Sequence, residues 1–137
     1  MVYIQRRERF SSAHQLFNPN WSIEKNDEVF GKCANKNFHG HNFNLIVTVK
    51  GSINPDTGFV MNLVDLKRLM KIYVTDKLDH RNLNTDVDFM LGKMASTEVL
   101  AVEIWKILEP KISEHHAFLH CVRLEETENN FVEYYGE

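Results

Sequence analysis

The sequence predicts an α+β domain of two layers, with four strands and two helices in the order ββααββ and residues 1–137 forming a single domain. Three observations carry this. Residues 42–50 alternate with period two, apolar side chains recur at helical spacing after Asn62 and again after Ser96, and two further strands close the chain near 118–125 and 130–135. Each helix must bury an apolar stripe, and both can do so only against the apolar face of the same sheet.

The elements follow in order. Residues 2–14 hold β-formers and few breakers and read as a first strand, although their alternation is weak. Residues 15–38 carry Asn18, Pro19, Asn20, Asn26, Asp27, Gly31, Asn35 and Asn37 with no sustained period, and read as a long connection of the kind that carries function or mobility. In 42–50, Phe43, Leu45, Val47 and Val49 share one face and Asn44, Thr48 and Lys50 the other, with Ile46 the exception. Asn54-Pro55-Asp56-Thr57-Gly58 is a turn. Asn62 can cap a helix whose stripe is Leu63, Leu66, Leu69, Met70 and Tyr73. Residues 76–95 read as irregular. Ser96 caps a second helix with Glu98 in its first turn and Leu100, Ile104, Ile107 and Leu108 inward, and Pro110 is expected to stop it. Glu128-Asn129-Asn130 joins the last two strands.

Composition narrows the function classes. Hydrophobic residues at 43% and charged residues at 26% suit a globular protein that buries roughly two thirds of its unfolded surface. A formal net charge of −3 supplies no basic field for a nucleic-acid backbone. No apolar run approaches the roughly 18 residues of a membrane helix. The charged N-terminus lacks the apolar stretch of a signal peptide, and Cys33 and Cys121 lie far apart, so the expectation is a cytoplasmic protein with free thiols.

Phe38-His39-Gly40-His41-Asn42 opens the best strand. Side chains two apart on a strand share a face, so both imidazoles can reach one metal ion, and Gly40 permits close backbone approach. Imidazole is the commonest zinc ligand, and three histidines plus water make an open site. His14, at the end of the first strand, is the best-placed third ligand. The alternative is a chance His-x-His facing solvent. His115 and His116 are expected to be solvated, His120 to pack in the core with Phe118, Val122 and Leu124, and Cys121 to act as a small buried hydrophobe.

Cys33 lies in the long connection, six residues before His39. A nearby dication and Lys32 would favour its thiolate as a base or nucleophile, and a fourth-ligand role that closes the metal site is the competing reading. Asp79-His80 places a carboxylate beside an imidazole it can orient, against the plainer reading of a surface pair. Glu126 becomes interesting only beside a ligand with two parallel N–H donors, such as an aminopyrimidinone edge.

Ser11-Ser12-Ala13-His14, Gly31-Lys32-Cys33 followed after five residues by His39-Gly40-His41, Leu78-Asp79-His80-Arg81-Asn82-Leu83, Ser96-Thr97-Glu98 and Glu126-Thr127-Glu128-Asn129-Asn130 occur in one order along the whole chain. Together they resemble the 6-pyruvoyl-tetrahydropterin synthase family. The resemblance implies a tunnelling fold (T-fold), a four-stranded antiparallel sheet with two helices on one face, assembled edge to edge in trimers and stacked as a homohexamer. It implies Zn2+ on His14, His39 and His41, Cys33 as proton-abstracting thiolate, Asp79 and His80 as a second acid–base element, and Glu126, Thr97 and Glu98 as contacts of a pterin triphosphate substrate. The implied reaction releases triphosphate while the side chain tautomerises to a diketone, so no nicotinamide or flavin is needed. No glycine-rich dinucleotide fingerprint is present.

Gln15 stands where many relatives carry arginine, which leaves any triphosphate contact there open. The family also includes 6-carboxy-tetrahydropterin synthases of the queuosine route, with the same metal and catalytic residues. The longer interval from cysteine to His-Gly-His, with Gly-Lys-Cys before it, is similar to the pyruvoyl type. A non-enzymatic pterin-binding or structural zinc module is the remaining alternative.

Overall fold

The computed structural model describes residues 1–137. Strand β1 (Val2–His14) pairs antiparallel with β2 (His39–Gly51) along its whole length, from Val2 opposite Gly51 to His14 opposite His39. Strand β4 (Phe118–Glu125) pairs antiparallel with β2, and β5 (Phe131–Tyr134) with β4. A two-residue strand, β3 (Arg81–Asn82), lies parallel to β1 at Ser12 and Ala13. The sheet order is β3-β1-β2-β4-β5, so the four expected strands form one antiparallel sheet and β3 adds a short fifth.

The core lies between one face of this sheet and two helical segments. Phe43, Leu45, Val47 and Val49 are buried as their alternation predicts, and Ile46 is buried on the opposite, polar face near Gln5 and Thr48. Phe10 stacks on Phe43 across the β1–β2 ladder, centroids 4.9 Å apart. The weak alternation of β1 has a local cause. Its inward positions include Arg6 and Glu8, paired at 2.8 Å, and Ser12, whose hydroxyl donates to the Leu78 carbonyl at 2.7 Å.

Helix α2 (Leu63–Met70) is capped by Asn62, whose side chain accepts from the Val64 N–H at 2.9 Å. It runs on through a π-helical turn, Lys71–Thr75, into α3 (Asp76–Leu78). Its fully buried positions are Leu66, Met70, Val74 and Leu78, while Leu63 is exposed, contrary to the expected stripe. Four-residue steps drift by about 40° each on a 3.6-residue helix, and the wider π turn takes back part of that drift. Helix α4 (Thr97–Ser113) begins at its Ser96 cap and buries Leu100, Ile104 and Leu108. It does not stop at Pro110. The last turn continues to Ser113 because Ile112 is fully buried, which offsets the backbone bond that proline cannot make.

Residues 15–38 differ most from expectation. They contain helix α1 (Ile23–Phe30), capped by Ser22. Its one buried residue is Asn26, so it carries no apolar stripe for a periodicity test to find. Asn26 instead accepts from the Asn18 N–H at 2.7 Å and donates to the Asn18 and Ser22 carbonyls at 3.0 and 2.9 Å, which pins the connection by polar bonds. His120 also departs from expectation. The β2–β4 register shifts between Thr48 and Val49, leaving His120 at a bulge between the Tyr3 and Tyr135 rings, centroids at 4.8 and 5.5 Å. Leu119 takes the core position, and Phe118 is exposed.

Candidate functional site

The strand pairing that builds the core also assembles the site. His39, His41, Phe43 and Leu45 are successive positions on one face of β2, so the two histidines extend the core face to its open end. His14 stands directly opposite His39 in the β1–β2 ladder, which places its ring on the same face. The ligand-capable atoms of His14, His39 and His41 all lie within 4.8 Å of one another. Phe43 forms the floor, its ring edge-on to His14 and His41 at 6.2 and 5.7 Å.

The His14 ring is fixed by the Ala95 carbonyl, 2.7 Å from Nδ1. A carbonyl can only accept, so Nδ1 carries the proton and Nε2 keeps its lone pair. His14 Nε2, His39 Nδ1 and His41 Nε2 are buried without a hydrogen-bond partner. Such orphaned atoms are costly, and three converging on one centre fit a metal ion. Burial pushes all three histidines below their ordinary pKa; the Ala95 bond and Glu126 oppose this at His14, and the mutual proximity of the rings adds to it. The set is therefore neutral near pH 7, the form in which imidazole binds metal. No atom of Cys33 joins the convergent group, which speaks against a closed four-ligand site.

Glu126 borders the centre. Its Oε1 lies 3.6 Å from His41 Nε2, and its Oε2 accepts a short bond from the Thr97 hydroxyl. Thr97, Glu98 and Glu126 line one cavity of about 440 Å³ together with Leu16, Asn130 and Phe131. The turn after β4 shapes its rim: the Glu126 N–H donates to the Asn130 carbonyl at 3.0 Å, and the Thr127 hydroxyl accepts from the Asn129 and Asn130 N–H groups.

Asp79 and His80 sit at the β1 edge. Asp79 Oδ1 accepts from the Ser11 N–H at 2.8 Å, and Oδ2 lies 2.9 Å from His80 Nδ1. Adjacent side chains seldom meet in this way. His80 takes a left-handed φ of 58°, which turns its ring toward its neighbour while its N–H donates to the Ser11 carbonyl at 2.7 Å. The Ser11 amide, and then His80, hold the Asp79 carboxyl below the usual range. The His80 ring is 85% exposed and lines a second cavity with Ser11, His41 and Asn42.

Cys33 occupies a half-buried 3-10 turn, Gly31–Ala34, tied to the chain just after His14 by the Leu16 N–H to Cys33 carbonyl bond at 2.8 Å. Cys33 and Cys121 are both free, and Cys121 is buried as expected. His116 is exposed and His115 half-buried in the turn before β4. Sequence reasoning missed the Ala95 carbonyl and the direct Thr97–Glu126 bond, because backbone acceptors and contacts over 29 residues leave no local pattern.

Fold and side chains together define the class: an α+β protein built around three histidines able to hold a metal ion, with a carboxylate-lined pocket beside them. The chain belongs to the 6-pyruvoyl tetrahydropterin synthase family, whose model matches residues 3–137. It is 46% identical over 136 residues to the 6-pyruvoyl tetrahydrobiopterin synthase of Dictyostelium discoideum, covering 99% of this chain and 97% of that protein. The human protein of the same name is 44% identical over 134 residues, covering 98% and 91%. The solved structure of 6-pyruvoyl tetrahydropterin synthase from Caenorhabditis elegans matches with a TM-score of 0.92 at 37% identity, covering 99% and 96%. The fold is thus the tunnelling fold that the sequence motifs imply. No helix is long and apolar enough to cross a membrane.

Proposed function

We propose that the chain is a zinc-dependent lyase that converts 7,8-dihydroneopterin triphosphate to 6-pyruvoyl-tetrahydropterin and releases triphosphate. The observation that carries this is the convergence of three partnerless imidazole nitrogens beside the Glu126–Thr97 pocket. The names of the relatives support the pyruvoyl product over the carboxy product.

His14, His39 and His41 would hold the zinc, which when bound supplies Lewis-acid polarisation of substrate side-chain oxygens. Glu126 offers a carboxylate to two parallel N–H donors of the pterin ring, and Thr97 orients it through the bond to Oε2. Glu98 lines the same pocket and completes its polar wall. Cys33 takes a proton as thiolate, which suits a cytoplasmic location where thiols stay reduced. Asp79 accepts from His80 Nδ1–H and so leaves His80 Nε2 free to move the second proton.

The reading includes a homohexamer, a dimer of trimers. Its support is the pair of open sheet edges: β5 pairs on one side only, and β3 covers β1 only at Ser12 and Ala13. Edge-to-edge pairing of copies would close both.

The test is to supply zinc-loaded protein with dihydroneopterin triphosphate and follow triphosphate release and product mass. A pyruvoyl pterin is expected. A carboxy pterin with acetaldehyde would move the chain to the queuosine-route activity, and no triphosphate release would leave a binding module.

A further inference from the structure

His14, the last residue of β1, and the two residues after it make three different sets of contacts. His14 turns its ring inward to the metal centre. The backbone of Gln15 is gripped by the Asn84 side-chain amide, which accepts from the Gln15 N–H at 2.8 Å and donates to the Gln15 carbonyl at 3.0 Å. The Gln15 side chain donates from Nε2 to the Ala34 carbonyl at 2.9 Å. The Leu16 N–H then donates to the Cys33 carbonyl. The turn carrying Cys33 has no side-chain cap of its own. Two successive carbonyls, those of Cys33 and Ala34, are therefore both received by the two residues that follow a metal-ligating histidine.

We infer that Gln15, clamped by Asn84, is a positioning residue that holds the Cys33 turn in register with His14. This rests on the proposed role of Cys33 as the base. A side chain with an N–H donor and sufficient reach is required at position 15. A carboxylate there would repel the Ala34 carbonyl, and an apolar chain would leave the turn attached through the Leu16 bond. Misplacing a reacting group by about 1 Å costs on the order of 100-fold in rate, so one such bond is enough to matter. Asn84 links the same point to the segment bearing Asp79 and His80, through the Asn84 N–H to Asn82 Oδ1 bond at 2.9 Å and the Leu83 N–H to Ala13 carbonyl bond at 2.8 Å.

The test compares Gln15→Met, which keeps length and loses the donor, with Gln15→Arg, which keeps a donor. Bound zinc, kcat, KM and the iodoacetamide alkylation rates of Cys33 and Cys121 are measured for each, with Cys33→Ala in parallel. Gln15→Met is expected to keep its zinc, change the Cys33 alkylation rate several-fold with Cys121 unchanged, and lose roughly tenfold or more in kcat with KM within about threefold. Gln15→Arg should restore most of both. Loss of zinc, a parallel change at Cys121, an unchanged Cys33 alkylation rate, or no rescue by arginine would overturn the assignment. An altered alkylation rate with wild-type kcat in Gln15→Met, together with full turnover in Cys33→Ala, would instead sink the base role and leave the positioning role standing.

Discussion

His14 and His39 face each other across the β1–β2 ladder with ring centroids 4.5 Å apart, the last pair of a register that starts at Val2 and Gly51. Two strands separated by residues 15–38 thus bring their imidazoles together by backbone pairing, and His41 joins from the next position on the same face of β2. A histidine cluster built on a sheet is stiffer than one built on loops, because ladder hydrogen bonds and the Phe10–Phe43 stack below hold the three rings in place.

Removing the metal should destabilise the protein. A bound ion would give the three partnerless buried nitrogens a common partner, and zinc at about 100 times its Kd is expected to contribute about 2.7 kcal/mol of folding free energy. Thermal melts with and without a chelator measure this. His39→Ala should weaken zinc binding by at least the roughly 10- to 100-fold that loss of an outer-shell partner costs. A zinc titration that left His39→Ala at wild-type affinity would remove His39 from the ligand set.

Glu126→Gln should weaken substrate binding more than it slows chemistry. A hydrogen bond to a charged group contributes about 1.5–3 kcal/mol, so KM is expected to rise by roughly 10- to 100-fold. Thr97→Val removes only the hydroxyl that orients Oε2 and should give a smaller rise, about threefold to tenfold. Steady-state kinetics and pterin-binding titrations separate the two. Equal effects of both substitutions would mean that Thr97 itself contacts the ring.

The parts of this site that were legible in the sequence are those with a local period. His39, His41, Phe43 and Leu45 announce their common face, and Asn62 and Ser96 announce their helices through capping chemistry. The pairing of His14 with His39 is different, since it depends on a register set across residues 15–38. Helix α1 was hidden because Asn26, not an apolar stripe, anchors it. The bulge at His120 was hidden because one unpaired residue reverses the inside–outside pattern of everything before it. Pro110 misled for a related reason: burial of Ile112 outweighs a local stop signal.

Asp79→Asn should leave the fold intact and slow turnover. The carboxylate accepts from Ser11 and His80 at once, and an amide can serve only one of them with its oxygen. The expected loss in kcat is about 10²- to 10⁴-fold, the range for a positioned acid–base group, with KM little changed. Stopped-flow measurement of triphosphate release checks this. A variant with near wild-type kcat would show that His80 keeps its tautomer without Asp79, or that it takes no part in proton transfer.

Glu103 gives a pH dependence that is independent of the metal. It is 9% exposed on α4 and accepts from Lys106 and Lys93, each at 2.8 Å. Lys106 first, and then Lys93, hold its carboxyl below its ordinary value of 4.5. A depressed folded pKa means that the unfolded chain binds the proton more readily, so this contribution is fully present well above pH 4.5 and is lost as pH falls through the folded pKa. Glu103→Gln should therefore cost about 1–2 kcal/mol at pH 7, where two lysines lose a carboxylate that is largely buried. The gap between variant and wild type should narrow steadily below about pH 4.5. Urea denaturation of both proteins, stripped of metal, at pH 7 and again near pH 3.5 measures the two gaps. A gap of the same size at both pH values would mean that shape and packing at position 103, and not its charge, supply the stability.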